Sequence, residues 1–269
     1  MIDSHVHFWK LDRGDYGWIT PKRPTLSQDY LPSDFQHVVS GTEVAGCIAL
    51  QAAPSETDTE YLLSSAAKHA FIKGVIGWTD LTDPSCHLRL NCWQTHTAFK
   101  GIRPTAGVQA GPDWLSDSHS TGLRELERRN LILEALALPR HVDGIAHIAR
   151  CHGELQIVIN HAAKPGPDDL KQWARDITTM SGLENVVCKL SGLTQQSAEP
   201  DHHARVCDVL LDVFGPDRLI WGSDYPVLLE TSSYAGWLET TATLLAALSK
   251  DEQTQITSRT AKRVYGIAG

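Results

Sequence analysis

Several classes of protein leave marks that this chain lacks. No apolar run reaches the roughly 18 residues that a membrane span needs. The first residues run straight into IDSHVHFW, without the basic stretch and apolar core of a secretory signal. None of the six cysteines stands in a CxxC pair. Cys47, Cys188 and Cys207 lie in apolar surroundings, where cysteine packs as a small hydrophobe. Without disulfide spacing a reducing compartment is expected, and the cytoplasm is the default. Basic runs are missing too, and 24 Lys+Arg against 32 Asp+Glu give a net charge of −8. An acidic surface repels phosphate backbones, so neither nucleic acid nor a membrane is an expected partner. No GxGxxG follows an apolar run, which sets aside an open dinucleotide-binding sheet. Nor is there a linker, repeat or low-complexity segment, so residues 1–269 are expected to form a single domain.

Eight short apolar runs are present, at residues 2–5, 46–51, 73–78, 99–103, 131–138, 155–160, 185–190 and 218–224. Several are continuous in Val, Ile and Leu, as strands buried on both faces of a parallel sheet require. The fifth, LILEALAL, reads either as a strand or as the end of a helix. The runs are mostly about 25 to 35 residues apart, the length of a βαβ unit. Helices are expected between them, at 59–70, 168–180 and 202–215. Eightfold alternation predicts a (β/α)₈ TIM barrel. The C-terminal segment adds one or two helices packed outside it. Residues 10–34 form a long loop after the first strand, on the face where barrel enzymes carry their sites.

Candidate chemistry gathers at the ends of these runs. His5 and His7 are two apart in an extended stretch, so both imidazoles point to one side. They suit one metal ion or one substrate; the plainer alternative is two surface histidines. Asp224 follows LIWGS and precedes Tyr225-Pro226, where the ladder must stop. There it can ligate a metal, act as a base toward water, or merely cap a turn. His161 ends the sixth run and is a third imidazole in a comparable position. Arg103 ends the fourth run; its planar fork suits a carboxylate or a lactone carbonyl, or else a rim salt bridge. Gln51, Trp78 and Trp9 are candidate pocket walls. Glu134, in the fifth run, either points to the mouth or binds a nearby cation. His69, His119, His202 and His203 are expected to be solvated or capping.

In this order, IDSHVHFW, GIR, INHAAKP, CKLSGL and WGSDYPV resemble the amidohydrolase-2 family across nearly the whole chain. They look most like its sugar-lactone hydrolase branch, which includes L-fuconolactonase, L-rhamnonolactonase and 2-pyrone-4,6-dicarboxylate lactonase. The resemblance implies the barrel fold and catalytic or metal-ligating roles for His5, His7, His161 and Asp224, with Arg103 on the substrate. It also implies one divalent ion, Zn²⁺ first, or metal-free catalysis, since the branch holds both kinds. A two-metal centre is not expected, because Arg103 and Glu134 stand at the middle strand ends. Asn160, Pro104, Tyr225 and Thr260 depart from the family pattern. They bear on which substrate is used more than on the reaction class. The expected function is hydrolysis of a small lactone with Asp224 as general base. The rivals are a metal-dependent decarboxylase of an aromatic or muconate-like acid, and a binding protein without turnover. The expected partner is a small lactone or acid; association into a homo-oligomer is compatible with this reading.

Overall fold

The structure is a computed structural model and describes residues 1–104, 115 and 119–267. Eight strands form one sheet in chain order. They are β1 (Asp3–Val6), β2 (Cys47–Leu50), β3 (Ile72–Gly77), β4 (Phe99–Ile102), β5 (Ile132–Ala135), β6 (Ile157–Ile159), β7 (Val186–Leu190) and β8 (Leu219–Trp221). Each pairs in parallel with the next. Closure between the first and last comes just beyond β8. Asp224 N–H donates to His5 O at 2.9 Å, and His7 N–H donates to Tyr225 O at 2.7 Å. Seven helices fill the crossovers and the return after β8: α2 (Glu56–Lys68), α3 (Cys86–Trp93), α4 (Ser120–Arg128), α5 (Val142–Cys151), α6 (Leu170–Ile177), α7 (Pro200–Phe214) and α8 (Tyr234–Leu244). A short α1 (Pro32–Val38) ends the long first loop. This is the expected barrel, and every expected run holds one strand. No helix among the described residues is long and apolar enough to cross a membrane. All six cysteines are free.

The ambiguous fifth run resolves into helix and then strand. Helix α4 stops at Arg128, Asn130 turns through a left-handed φ of 53°, and β5 begins at Ile132. Asparagine tolerates that region because its short polar side chain can bond locally. The eighth strand ends earlier than its apolar run, at Trp221, so Asp224 lies on the connection that closes the barrel.

The C-terminal segment departs from expectation. Helices α9 (Lys250–Thr254) and α10 (Thr260–Val264), joined by a π-helical turn, do not lie outside the barrel but close its base. Ala261 and Tyr265, four apart and so on one helical face, pack against Ile2, Ile48, Ile76, Ile132, Val158, Val187 and Ile220. These residues form an apolar layer inside the strands, as a filled barrel requires. Two positions further along β5, β6 and β7, on the same face, come Glu134, Asn160 and Lys189, all fully buried. Glu134 therefore binds a cation rather than facing the mouth: Lys189 Nζ lies 2.8 Å from its Oε2, and Tyr265 Oη donates to its Oε1 at 2.5 Å. Asn160 Nδ2 donates to the same carboxylate.

Candidate active site

Strand β1 delivers His5 and His7 to the mouth, their Nε2 atoms 3.2 Å apart. Asp224 Oδ1 lies 3.5 Å from His5 Nε2, 3.4 Å from His7 Nε2 and 3.8 Å from His161 Nε2. All four residues are buried. His161 reaches the cluster through an unusual turn. Residues His161, Ala162, Ala163 and Lys164 have φ of 52°, 54°, 59° and 55°, and Asp224 has 65°. An L-residue in the left-handed region costs about 1–2 kcal/mol. Strain of this kind persists where surrounding structure enforces it, often at functional sites. The enforcement is visible: Lys164 N–H closes the turn on His161 O at 2.7 Å, and Trp173 Nε1 donates to Ala162 O at 2.7 Å. Gly192, itself at φ 67°, lies directly beneath; a Cβ there would fall 2.6 Å from His161 Nδ1.

The far nitrogens of the imidazoles are also tied. His7 Nδ1 is 3.0 Å from Leu50 O, so Nδ1 carries the proton and Nε2 offers its lone pair to the cluster. His161 Nδ1 meets Ser191 Oγ at 2.9 Å. His5 Nδ1 faces Lys189 Nζ at 3.3 Å; the ammonium donates, which leaves the proton of a neutral His5 on Nε2.

These donors fit a single divalent ion. A tetrahedral ion with zinc-length bonds sets its ligand atoms about 3.3 Å apart, close to the His5–His7, His5–Asp224 and His7–Asp224 separations above. The ligand atoms of His5, His161 and Asp224 lie within 4.8 Å of one another. Three imidazoles and a carboxylate are a donor set that zinc accepts. Ligation by His5 displaces its Nε2 proton, so ion binding is coupled to proton release.

The charge pattern is clear without an ion. Burial holds the His5 imidazole well below its ordinary range, and Lys189 and the other nearby cations add to this. Burial also takes His161 down to about 3, against the opposing pull of Asp224. For Asp224 burial acts upward, but His161, His7 and Lys164 outweigh it and bring the carboxyl to about 2. At neutral pH the cluster is therefore an ionised carboxylate with neutral His5 and His161. Behind it Asp3, fully buried, accepts from His5 N at 3.1 Å, Ser223 N at 2.9 Å and Tyr234 Oη at 2.9 Å, bracing β1 against the β8 connection. Burial nonetheless raises its pKa to about 6.

Arg103 acts on Asp224 and His161 through its charge; its Nη2 donates to Gln51 O, and its buried Nε has no partner among the described residues. Gln51 Nε2 returns a bond to Arg103 O at 3.3 Å, so these two candidates form one unit. Trp78 is half-buried at the end of β3. Trp9 has no exposed surface; its indole N–H donates to Gln28 O at 2.8 Å, and its rings pack on Tyr16, Trp18 and Tyr30 within the first loop. That loop is pinned across the mouth, since Arg23 pairs with Glu230 of the β8 connection and lies over Trp18. His202 and His203 are not solvated but buried on α7, with Nε2 bonded to Pro165 O and Ser197 O. They lie in the first turn of α7, where it packs on the loops after β6 and β7. Lys189, Ser191 and Lys164 were not singled out from sequence, although CKLSGL and INHAAKP contain them.

With this geometry in place, similarity to known proteins can be stated. Residues 2–267 match the Amidohydrolase family. An L-fucono-1,5-lactonase of Burkholderia multivorans is 32% identical over 288 residues, covering 99% of this chain and 96% of that protein. One of Burkholderia ambifaria is 32% identical over 250 residues, covering 88% and 85%. A crystal structure of a Burkholderia multivorans amidohydrolase with bound zinc superposes with a TM-score of 0.93 at 30% identity, over 99% of both chains. The chain therefore belongs to the amidohydrolase family.

Proposed function

We propose that this protein opens the ring of a sugar-acid lactone, of the type of L-fucono-1,5-lactone, by attack of water on the ester carbonyl. One observation carries the reading: an ionised carboxylate, Asp224, ringed by three imidazoles at the mouth of a barrel and under the charge of Arg103, whose buried Nε has no partner among the described residues. Likeness over nearly full length to two L-fucono-1,5-lactonases supports the substrate class.

Asp224 takes a proton from water as the water oxygen bonds to the carbonyl carbon. The carbonyl oxygen becomes an oxyanion, which Arg103 receives, joined in the ion-free site by the His5 Nε2 proton. The carbon–oxygen bond of the ring then breaks, and Asp224 returns its proton to the leaving alkoxide. The product is a hydroxy acid, which ionises and releases one proton. His161 and His7 hold Asp224 and the reacting oxygens in place. The ion held by His5, His7, His161 and Asp224 is proposed to be zinc; when bound it would polarise the carbonyl and acidify water. Six free thiols support the cytoplasm as the compartment.

The test is acid release, followed with a pH indicator, from a panel of aldonolactones, before and after chelation. Acid from at least one lactone is expected, and the chelated arm measures how much of the rate needs the ion. No acid from any lactone, with CO₂ released from an aromatic acid instead, would overturn the proposal in favour of a decarboxylase.

A further inference from the structure

His5, His7, His161 and Asp224 have almost no exposed surface, so a substrate that reaches them needs the entrance to widen. One part of the first loop, residues 17–25, spans that entrance, and both its ends are anchored. On one side Tyr16 is buried, and its Oη donates to Asp58 Oδ1 at 2.8 Å. Asp58 Oδ2 in turn accepts from Ala52 N at 2.7 Å and Ala53 N at 3.0 Å. On the other side Leu26 is buried, and Tyr30 exchanges two backbone hydrogen bonds of 3.0 Å with Trp9. Between these anchors no residue is buried, and Trp18 and Ile19 pack only in part against the core. Among the described residues, two polar contacts tie the stretch to the rest of the molecule. The Trp18 indole N–H donates to Ala52 O at 2.6 Å, and Arg23 pairs through Nε and Nη2 with both oxygens of Glu230, the Nε bond being 2.9 Å. The Arg23 guanidinium lies over the Trp18 ring, 4.9 Å from its centre, so the two contacts meet at one cation.

These contacts sit on either side of the histidines. Ala52 follows β2 and Glu230 follows β8, and in the closed barrel β1, which carries His5 and His7, lies between those two strands. Glu230 ends the short 3₁₀ turn Val227–Glu230, which is itself bonded to the site: Leu228 N–H donates to Asp224 O at 2.9 Å. We infer that residues 17–25 are a strap that opens to admit substrate and closes over it, with the Arg23–Glu230 pair as its latch. A two-pronged guanidinium–carboxylate contact fixes one closed geometry. With side chains 33% and 22% exposed, the pair is weak enough to break and re-form. A segment with so few buried contacts is the kind that opens locally while the fold stays intact. Pro21 and Pro24 stiffen it, so it moves as one piece. The purpose of closure, to hold a lactone in a site cleared of bulk solvent, rests on the lactonase reading. The latch does not depend on it.

Two measurements test the strap, and the first needs no substrate. In Glu230→Gln, amide hydrogen exchange over residues 17–25 should quicken about 3- to 10-fold, while exchange in β1 and Tm stay those of the parent. The charge-swapped double variant Arg23→Glu with Glu230→Arg should bring the exchange back towards the parent rate. Unchanged exchange over residues 17–25 in Glu230→Gln would overturn the latch, and so would equal quickening in β1, which would mark general loosening. The second measurement locks the strap shut. Arg23→Cys and Glu230→Cys, with Cys92→Ser and Cys151→Ser removing the exposed thiols, are joined by a short bis-maleimide. The control is the same protein with both new thiols capped singly by N-ethylmaleimide. Acid release from an accepted lactone should fall below about a tenth of the control's. Release equal to the control's would show that substrate enters without the strap moving and would overturn the proposal. A parent that opens no lactone, yet shows the faster exchange in Glu230→Gln, would keep the latch and remove the hydrolase reading.

Discussion

At the base of the barrel, Ile48, Ile76, Ile132, Val158 and Ile220 pack under Tyr265, and the charges just above them, Glu134 and Lys189, meet one another directly. At the mouth the strand ends carry three imidazoles, Asp224 and Arg103, with left-handed backbone at His161 and Asp224 and a buried guanidinium nitrogen without a partner among the described residues. The base is mostly apolar packing around a buried ion pair, with Asn160 Oδ1 unpartnered among the described residues; the mouth adds left-handed strain to its unspent hydrogen-bonding capacity. Changes at the base should therefore be read in stability, and changes at the mouth in rate.

Breaking the buried pair should have the largest effect on stability. Lys189→Met leaves Glu134 charged and buried without its cation, and urea unfolding should show a loss of about 3–5 kcal/mol. A loss under 1 kcal/mol would mean that the pair is not the keystone of the polar layer. At the mouth, Gly192→Ala forces a Cβ against His161 in a backbone region that disfavours it. Turnover should fall about 100-fold from misplacement of the imidazole, with stability down by about 1–3 kcal/mol. Unchanged turnover would show that His161 does not need its present position. Tyr265→Phe removes only the hydroxyl that donates to Glu134. It should cost about 1–3 kcal/mol by thermal or urea melts, with kcat close to the parent's; a large loss of kcat would erase the division between base and mouth.

The smallest effect expected is that of pH on stability in the chelated protein. His5 and His161 are held below the ordinary range when folded, while in the unfolded chain each takes a proton near pH 6.5. Unfolding thus binds protons as pH falls, and stability falls with it. Asp3, raised to about 6 in the fold, acts in the opposite sense between about pH 6 and 4 and offsets one of the two. These three groups alone give a slope there of about 1.4 kcal/mol per pH unit. Below pH 4 the unfolded Asp3 is protonated as well, so its offset ends. Asp224, depressed to about 2, then adds a further loss, so the decline steepens. A flat or rising stability between pH 6 and 4 would contradict the neutral, buried imidazoles.

The strands were legible because buried parallel strands are written as short continuous apolar runs, and His5, His7, His161 and Asp224 because each stands at or just beyond the end of such a run. What was not legible depends on long-range partners or on backbone conformation. Lys189 sits within an apolar strand, and its carboxylate partner is 55 residues away and the Tyr265 hydroxyl that shares that carboxylate 131 residues from it. Nothing in Ala162-Ala163-Lys164 announces four successive left-handed residues, since neither alanine nor lysine prefers that region. The C-terminal helices looked like outer packing because their inward residues, Ala261 and Tyr265, are few. His202 and His203 looked polar at a helix start, but they donate to loop carbonyls that exist only once the barrel has formed.

The central claim is that Asp224 moves the proton between attacking water and leaving alkoxide. Asp224→Asn keeps the shape and an acceptor oxygen but cannot take that proton. The decisive measurement is kcat/KM for acid release from an accepted lactone, in the parent and in Asp224→Asn, with both shown to be folded by their melting temperatures. A fall of about 10³-fold at unchanged Tm is expected; a variant within tenfold of the parent would contradict the account.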